Sequence, residues 1–368
     1  MSKPHYPILD GLRGTAALLV VIFHLLEAKF PELPKHPMHH GYLAVDFFYL
    51  LSGFVVGYAY DDRWAKGMTV GQFFKIRLFR LHPLVILGTI VGAICFWLDP
   101  YKDMQLVNIG KFVAVILFGF TLLPATTDVR GWGETHPLDG PCWSLLQEYL
   151  ANFLYAIVGR KLSKTGLWVL VIISAVVLTV VSVDHGDLGT GWGYMKIKSA
   201  FIADWFYGKG SEGYPNIWVA PVRMMFPFFA GLLLFRTGKL IRIPMAYTLC
   251  SLLLAVLFFF PYYSWNGYFD ALCIIIFFPL VVAAGAGGQI AGRWATLCKF
   301  SGDISYPIYI MHYPFIYVYM FWIAKAKPEP VAVIAVAVGL FFFFILLAYA
   351  ALKLYDEPVR KWLKAKFV

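Results

Sequence analysis

Ile8-Leu-Asp-Gly-Leu-Arg-Gly-Thr-Ala-Ala-Leu-Leu-Val-Val-Ile-Phe-His-Leu-Leu-Glu-Ala28 is long enough to cross a bilayer as one helix, yet it carries four ionisable side chains, Asp10, Arg13, His24 and Glu27. A charge near the bilayer centre costs several kcal/mol unless it is paired or faces a wet cavity, so these residues are the first place to look for function. With 3.6 residues per turn, Asp10 and Arg13 are one turn apart and His24 returns to within about 20° of Arg13, so the three form one stripe. Along the axis Arg13 and His24 are separated by roughly 16 Å. That stripe predicts the wall of a tunnel, with Ala17 one turn beyond Arg13 facing it. The segment before the run is short and has no convincing cleavage site, which predicts a retained helix.

The rest of the chain has the same character. Of 368 residues, 60% are hydrophobic and 14% charged, against roughly 25% charged in a soluble domain. That composition excludes a soluble Rossmann, TIM-barrel or DNA-binding protein and predicts an all-α, polytopic transmembrane helical bundle forming one domain over residues 1–368. Apolar stretches fall at 8–28, 42–60, 83–98, 111–124, 142–159, 166–183, 216–235, 246–260, 269–286, 304–323 and 331–352. The 31 Lys and Arg outnumber the 21 Asp and Glu and sit mostly in loops beside apolar runs, a topology signal rather than a nucleic-acid one. Lys/Arg placement puts both termini and the loop 61–82 in the cytoplasm. Eleven crossings cannot do that, so about ten (10–11) are expected, with 111–124 or a half-embedded 125–142 failing to cross fully. The interval 184–215, rich in Gly, Trp and Tyr, is expected to face outward as an interface or sugar-binding rim. The five cysteines, 95, 142, 250, 273 and 298, are scattered in apolar sequence and read as packing residues.

Several further groups carry chemistry or its bland alternative. Asp10 and Arg13 could equally be an interfacial helix start. His24 is either a hydrogen-bonded packing residue or a proton acceptor near neutral pH. Asp46 sits in a run whose Gly53-x-x-x-Gly57 pair permits close helix approach. Arg77 and Arg80 share a helix face and suit a phosphorylated ligand, though topology alone would place basic residues there. Ser144 and Glu148 share a face at i, i+4, and a carboxylate entering a span needs a partner, for which a histidine on another helix would serve. His312 lies in an aromatic-rich helix. The cluster His36, His39 and His40 lacks supporting Cys or carboxylates, and no metal is expected.

Taken together, Asp10-Gly-Leu-Arg-Gly14 with Phe23-His24, Val45-Asp-Phe-Phe-Tyr-Leu-Leu-Ser-Gly-Phe54, Arg77-x-x-Arg80, Trp143-Ser-Leu-x-x-Glu148 and Ser305-Tyr-Pro-Ile-Tyr-Ile-Met-His312 resemble, in order and over nearly the whole chain, the acyltransferase-3 family of integral membrane acyltransferases. The resemblance implies transfer of an acyl group, most often acetyl from cytoplasmic acetyl-CoA, to a hydroxyl of a carbohydrate acceptor, a surface polysaccharide or lipid-linked saccharide, at the bacterial inner membrane. It implies His24, Glu148 and Arg13 as catalytic residues, with His24 the base. Arg77, Arg80 and Lys75 would hold the coenzyme phosphates, and Asp10, Asp46, Ser144, Trp143 and His312 would lend substrate or structural support. The family often has a second acidic residue before the glutamate, where this chain has Leu146-Gln147. Acyl-CoA, the carbohydrate acceptor, membrane lipids and separate polysaccharide-assembly proteins are the partners implied, with no nucleic acid, no metal and no appended extracytoplasmic domain. A transporter or flippase for a sugar or lipid-linked sugar remains the alternative, since the same polar stripe would line a permeation path.

Overall fold

The structure, a computed structural model, describes residues 5–367 except 104, 128, 133, 187 and 189–218. From residue 189 onward the expected outward-facing interval 184–215 therefore lies outside the described residues. Among these residues all regular structure is helical. In chain order the helices are α1 (Pro7–Glu27), α2 (Ala44–Ala65), α3 (Val70–Leu98), α4 (Ile109–Thr121), α5 (Cys142–Ile157), α6 (Lys164–His185), α7 (Val219–Thr237), α8 (Ala246–Phe258), α9 (Asn266–Gly287), α10 (Gly292–Met311), α11 (Tyr313–Ala326) and α12 (Pro330–Phe367). Seven of them, α1, α2, α3, α6, α7, α9 and α12, are long and apolar enough to cross a membrane. α6 and α12 expose apolar side chains such as Ile172, Val176, Val180, Ile334, Phe342 and Leu346, as helices facing lipid do.

Close packing sets the frame. Gly53 on α2 lies against the backbone of Phe228 on α7, and Gly231 on α7 against that of Leu50, so a Cβ at either would come within about 2 Å of a main-chain oxygen. Gly14 and Gly302 do the same for α1 and α10, where Ser301 and the Asp10 backbone approach. Small residues at such seams let helices gain dispersion contacts where lipid offers no hydrophobic incentive to associate. The α2–α7 seam is also pinned by a fully buried ion pair, Arg223 to Asp46 at 2.5 Å and 3.2 Å.

One end of the bundle gathers the basic segments. Arg236 there bonds Asp61 and the Gly159 carbonyl, Arg160 stacks on Trp64, and Lys75 reaches the carbonyl of Phe367. The start of α1 and the end of α12 both lie at this basic end, for Tyr6 packs on Phe54 and Tyr58 and Phe367 packs on Phe79 of α3.

One boundary differs from expectation, and in the stretch 83–159 the two suspected segments, 111–124 and 125–142, are a short helix and a largely buried loop. The segment 61–82 is not a loop: a reciprocal cap between Thr69 and Gln72 starts α3 at Val70, and the helix runs 29 residues through Pro83. Thr69-x-x-Gln72 is a capping-box sequence, and it outweighs the polar composition. Arg77 and Arg80 therefore sit on the second and third turns of a helix. Between 83 and 159, α4 stops after 13 residues, ended by Leu122 in the left-handed conformation (φ 61°). A loop then continues within the protein before α5 starts, with residues 134–141 all buried. Its polar groups are bonded inside: Tyr317 donates to Glu134 (2.5 Å), Arg130 to the Pro137 carbonyl (2.6 Å) and Cys142 to Asp139 (3.1 Å). Irregular backbone at that depth survives only where protein surrounds it.

Candidate active site

At the basic end a cavity of about 530 Å³ opens between α1, α2, α3, α5, α10 and α12. Seven cationic side chains line it, Arg13, Arg77, Arg80, Lys299, Arg360, Lys361 and Lys364, against four carboxylates, Glu148, Asp303, Asp356 and Glu357. Most of the cations are tied. Arg77 donates to Glu148 at 2.7 Å, and Ser52 donates to the same oxygen at 3.1 Å. Arg13 bonds the Ser305 hydroxyl (2.9 Å), the Gly302 carbonyl (2.9 Å) and Asp10 (3.2 Å). Arg80, half-buried, makes no hydrogen bond or ion pair among the described residues, and the Nε of Arg77 is buried without a partner. Guanidiniums crowded in this way repel one another, and an anion bound between them relieves that repulsion.

At the opposite end lies a second cavity of about 950 Å³. Its walls are largely aromatic, Trp132, Trp143, Tyr313 and Phe321 among them, with three carboxylates, Glu27, Glu32 and Glu134, and two cations, Lys325 and the Asp46-bound Arg223. His24 opens onto it, near the far end of α1, with its Nδ1 at 2.7 Å from Glu27 Oε2. That contact fixes the ring and leaves Nε2 as the nitrogen able to take a proton. The ring packs against Tyr313 (centroids 4.7 Å apart) and His312 (5.3 Å).

Val45 and Tyr309 line both cavities and so form the wall between them. The Tyr309 hydroxyl is held by the Ser144 hydroxyl at 2.6 Å and the Pro141 carbonyl at 3.3 Å, at the start of α5. α5 begins inside the bundle, which is what brings Ser144 and the Pro141 carbonyl to this depth.

The residues singled out in the sequence fall into separate places. His24, Glu148 and Arg13 do not form one cluster: His24 faces the larger cavity, while Glu148 and Arg13 line the basic one. The partner of Glu148 is Arg77, not a histidine, because α3 and α5 face each other near the basic end. Lys75 lies outside the basic cavity, exposed and bonded to the end of α12, because it points away from the face that Arg77 and Arg80 share. No single tunnel follows α1, and Ala17 is buried against Ile304 and Ile308. Asp10 bonds Arg13 and His5 outside both cavities, and Asp46 is held by Arg223. Ser144 lines the basic cavity, Trp143 the aromatic one, and His312 is buried behind His24 with its Nδ1–H donated to the Ile308 carbonyl. His36, His39 and His40 each bond a different group, the carbonyls of Phe23 and Leu33 and the carboxylate of Asp270. Burial pushes the imidazole of His36, in the loop after α1, below its ordinary value. Sequence reasoning missed Glu27 as the partner of His24, although an acid three residues on is a readable helix pair. It also missed Tyr309, whose place between two cavities has no local signature.

Residues 6–353 match the family profile described as "Acyltransferase domain". Among curated proteins the chain is 35% identical over 186 residues to "Protein 2 in picA locus" of Rhizobium radiobacter, covering 48% of this chain and 94% of that one. It is 28% identical over 329 residues to the acyltransferase MdmB of Streptomyces mycarofaciens, covering 83% and 78% of the two chains. It is 26% identical over 200 residues to the peptidoglycan O-acetyltransferase OatA of Listeria monocytogenes, covering 50% of this chain and 30% of that one. No solved structure matches.

Proposed function

The chain belongs to the acyltransferase-3 family and is a membrane acyltransferase, and from that premise we propose that it moves an acyl group, acetyl first among them, from cytoplasmic acyl-CoA to a carbohydrate hydroxyl on the far side of the membrane. The observation that carries this reading is the pair of unlike cavities meeting at Tyr309, one strongly basic and the other largely aromatic with nearly balanced charge. A coenzyme with several phosphate charges suits the first, where Arg80 lacks a partner. Ring faces and hydroxyls of a sugar suit the second, through stacking on Trp132 and Trp143 and hydrogen bonds to Glu27, Glu32 and Glu134. The excess of Lys and Arg at the basic end supports placing it in the cytoplasm, and a bacterial inner membrane is the setting in which both substrates meet.

In this reading the nucleotide stays at the basic mouth and the acylated arm of the coenzyme passes the wall at Tyr309. His24, oriented by Glu27, takes the proton of the acceptor hydroxyl as its oxygen attacks the thioester carbonyl. A C–O bond forms, the C–S bond breaks, and the thiolate leaves, taking up the proton that His24 received. Arg13 and Arg77 belong to the donor cavity, and Glu148 restrains Arg77 there. Carbohydrate assembly proteins would present the acceptor.

The competing reading is a sugar transporter, which needs no coenzyme. Acetyl-CoA or CoA should raise the thermal midpoint of the purified protein, and Arg80→Ala should remove most of that rise. Stabilisation by sugars with none by the coenzyme would overturn the donor assignment.

A further inference from the structure

The last turns of α12 point a charged face into the basic cavity. Within Pro330–Phe367 a π-helical turn spans Ala351–Asp356, and the segment Glu357–Phe367 that follows contributes charged side chains to the lining of the cavity. Glu357, Arg360, Lys361 and Lys364, spaced i, i+3, i+4 and i+7, all line the cavity. They lie beyond residue 353, where the family match ends. The segment is held in place. Asp356 is buried and accepts from Arg360 at 2.9 Å, the ring of Phe367 packs on Phe79, and Lys75 bonds the Phe367 carbonyl. Arg80 lies within electrostatic reach of both Arg77 and Arg360. Lys361 and Lys364 are exposed and make no ion pair among the described residues.

We infer that Arg360, Lys361 and Lys364 are part of the donor site and bind the 3′-phosphate at the nucleotide end of the coenzyme. This rests on the donor reading above. Chemistry sets the order of contacts: the thioester must travel inward, so the diphosphate follows it and the ribose 3′-phosphate comes last. The inner guanidiniums, Arg77 and Arg80, then meet the diphosphate, and the cations at the mouth meet the 3′-phosphate. A basic helix at a membrane surface could instead hold anionic lipid headgroups. Here, however, the face carrying Arg360, Lys361 and Lys364 turns into the cavity, and the exposed Trp362 is left on the other side. The family's shared segment would thus supply the inner half of the donor site, and this tail the outer half.

The test uses the full-length protein in nanodiscs, with CoA and 3′-dephospho-CoA as probes. Lys361→Glu/Lys364→Glu leaves the Arg360–Asp356 pair intact, and a thermal midpoint unchanged in the absence of ligand shows that the fold survives. The variant should weaken CoA about tenfold while shifting 3′-dephospho-CoA less than about twofold, and Arg80→Ala should weaken both. Unchanged CoA affinity in the variant, or equal weakening of the two probes, would overturn the assignment. An effect seen only as lost stabilisation by phosphatidylglycerol in the disc would also overturn it, in favour of a lipid contact. A wild-type protein that binds neither probe would instead refute the donor reading itself.

Discussion

The two cavities share a wall and little else. The one at the basic end is the smaller, about 530 Å³ against about 950 Å³, and is ringed by cations from four helices, most of them already tied to carboxylates or carbonyls. The other is lined mostly by rings, with three carboxylates and two cations, and its histidine is held by a glutamate one turn away on the same helix. A symmetric channel would present one ligand with similar surroundings along its path. Here the surroundings change at Val45 and Tyr309 from a marked excess of cations to aromatic rings with nearly balanced charge, a contrast that suits two different ligands better than one.

Four changes would break or sharpen that contrast. His24→Ala should have the largest effect, a loss of acyl transfer on the order of a hundredfold or more with coenzyme binding intact. Near-normal transfer in a radiolabel assay would sink the assignment. Next, Arg77→Ala or Arg80→Ala should raise the KM for acyl-CoA about tenfold while leaving the acceptor KM nearly unchanged, with high salt mimicking part of the loss in the wild type. Equal effects on both KM values would mean that the cavities are not separate sites. Glu27→Gln keeps a hydrogen-bonding partner for His24 but removes its charge, so kcat should fall about tenfold with both KM values held. An unchanged kcat would make Glu27 a mere packing partner. The smallest effect is expected of Tyr309→Ala, which joins the cavities: transfer should persist, while acceptor-independent hydrolysis of acyl-CoA rises by about threefold as water reaches the thioester. No rise in free CoA release would show that Val45 and its neighbours seal the wall alone.

The sequence showed which polar groups are embedded in apolar runs, because a charge among aliphatic residues stands out at any distance. It could not show which of them meet. Arg77 and Glu148 are 71 residues apart and Arg223 and Asp46 177, and their pairing depends on how helices pack. Arg223, never singled out, was readable as a second unpaired charge in an apolar stretch. The buried loop before α5 was legible only through charge parity, which marked 125–142 as one of two candidates for a segment that does not cross fully. Glu134, Thr135, His136 and Asp139 have the composition of a solvent-facing turn, and only their internal hydrogen bonds make them part of the interior. The crossing stripe on α1 was read correctly as spacing but not as surroundings, since α10 covers its middle at Ala17.

The wall at Tyr309 has an electrical consequence. Where vestibules on both sides fill with electrolyte, a transmembrane voltage falls across the insulating layer between them rather than over the full bilayer. A charge moved through the whole potential gains about 2.3 kcal/mol per 100 mV, and a septum thinner than the bilayer delivers it over a shorter path. Any step that carries net charge over this septum then becomes a voltmeter. In proteoliposomes with an imposed potassium diffusion potential, turnover should change with the sign of the voltage, and a flat response would mean that the steps limiting turnover move no charge across the wall.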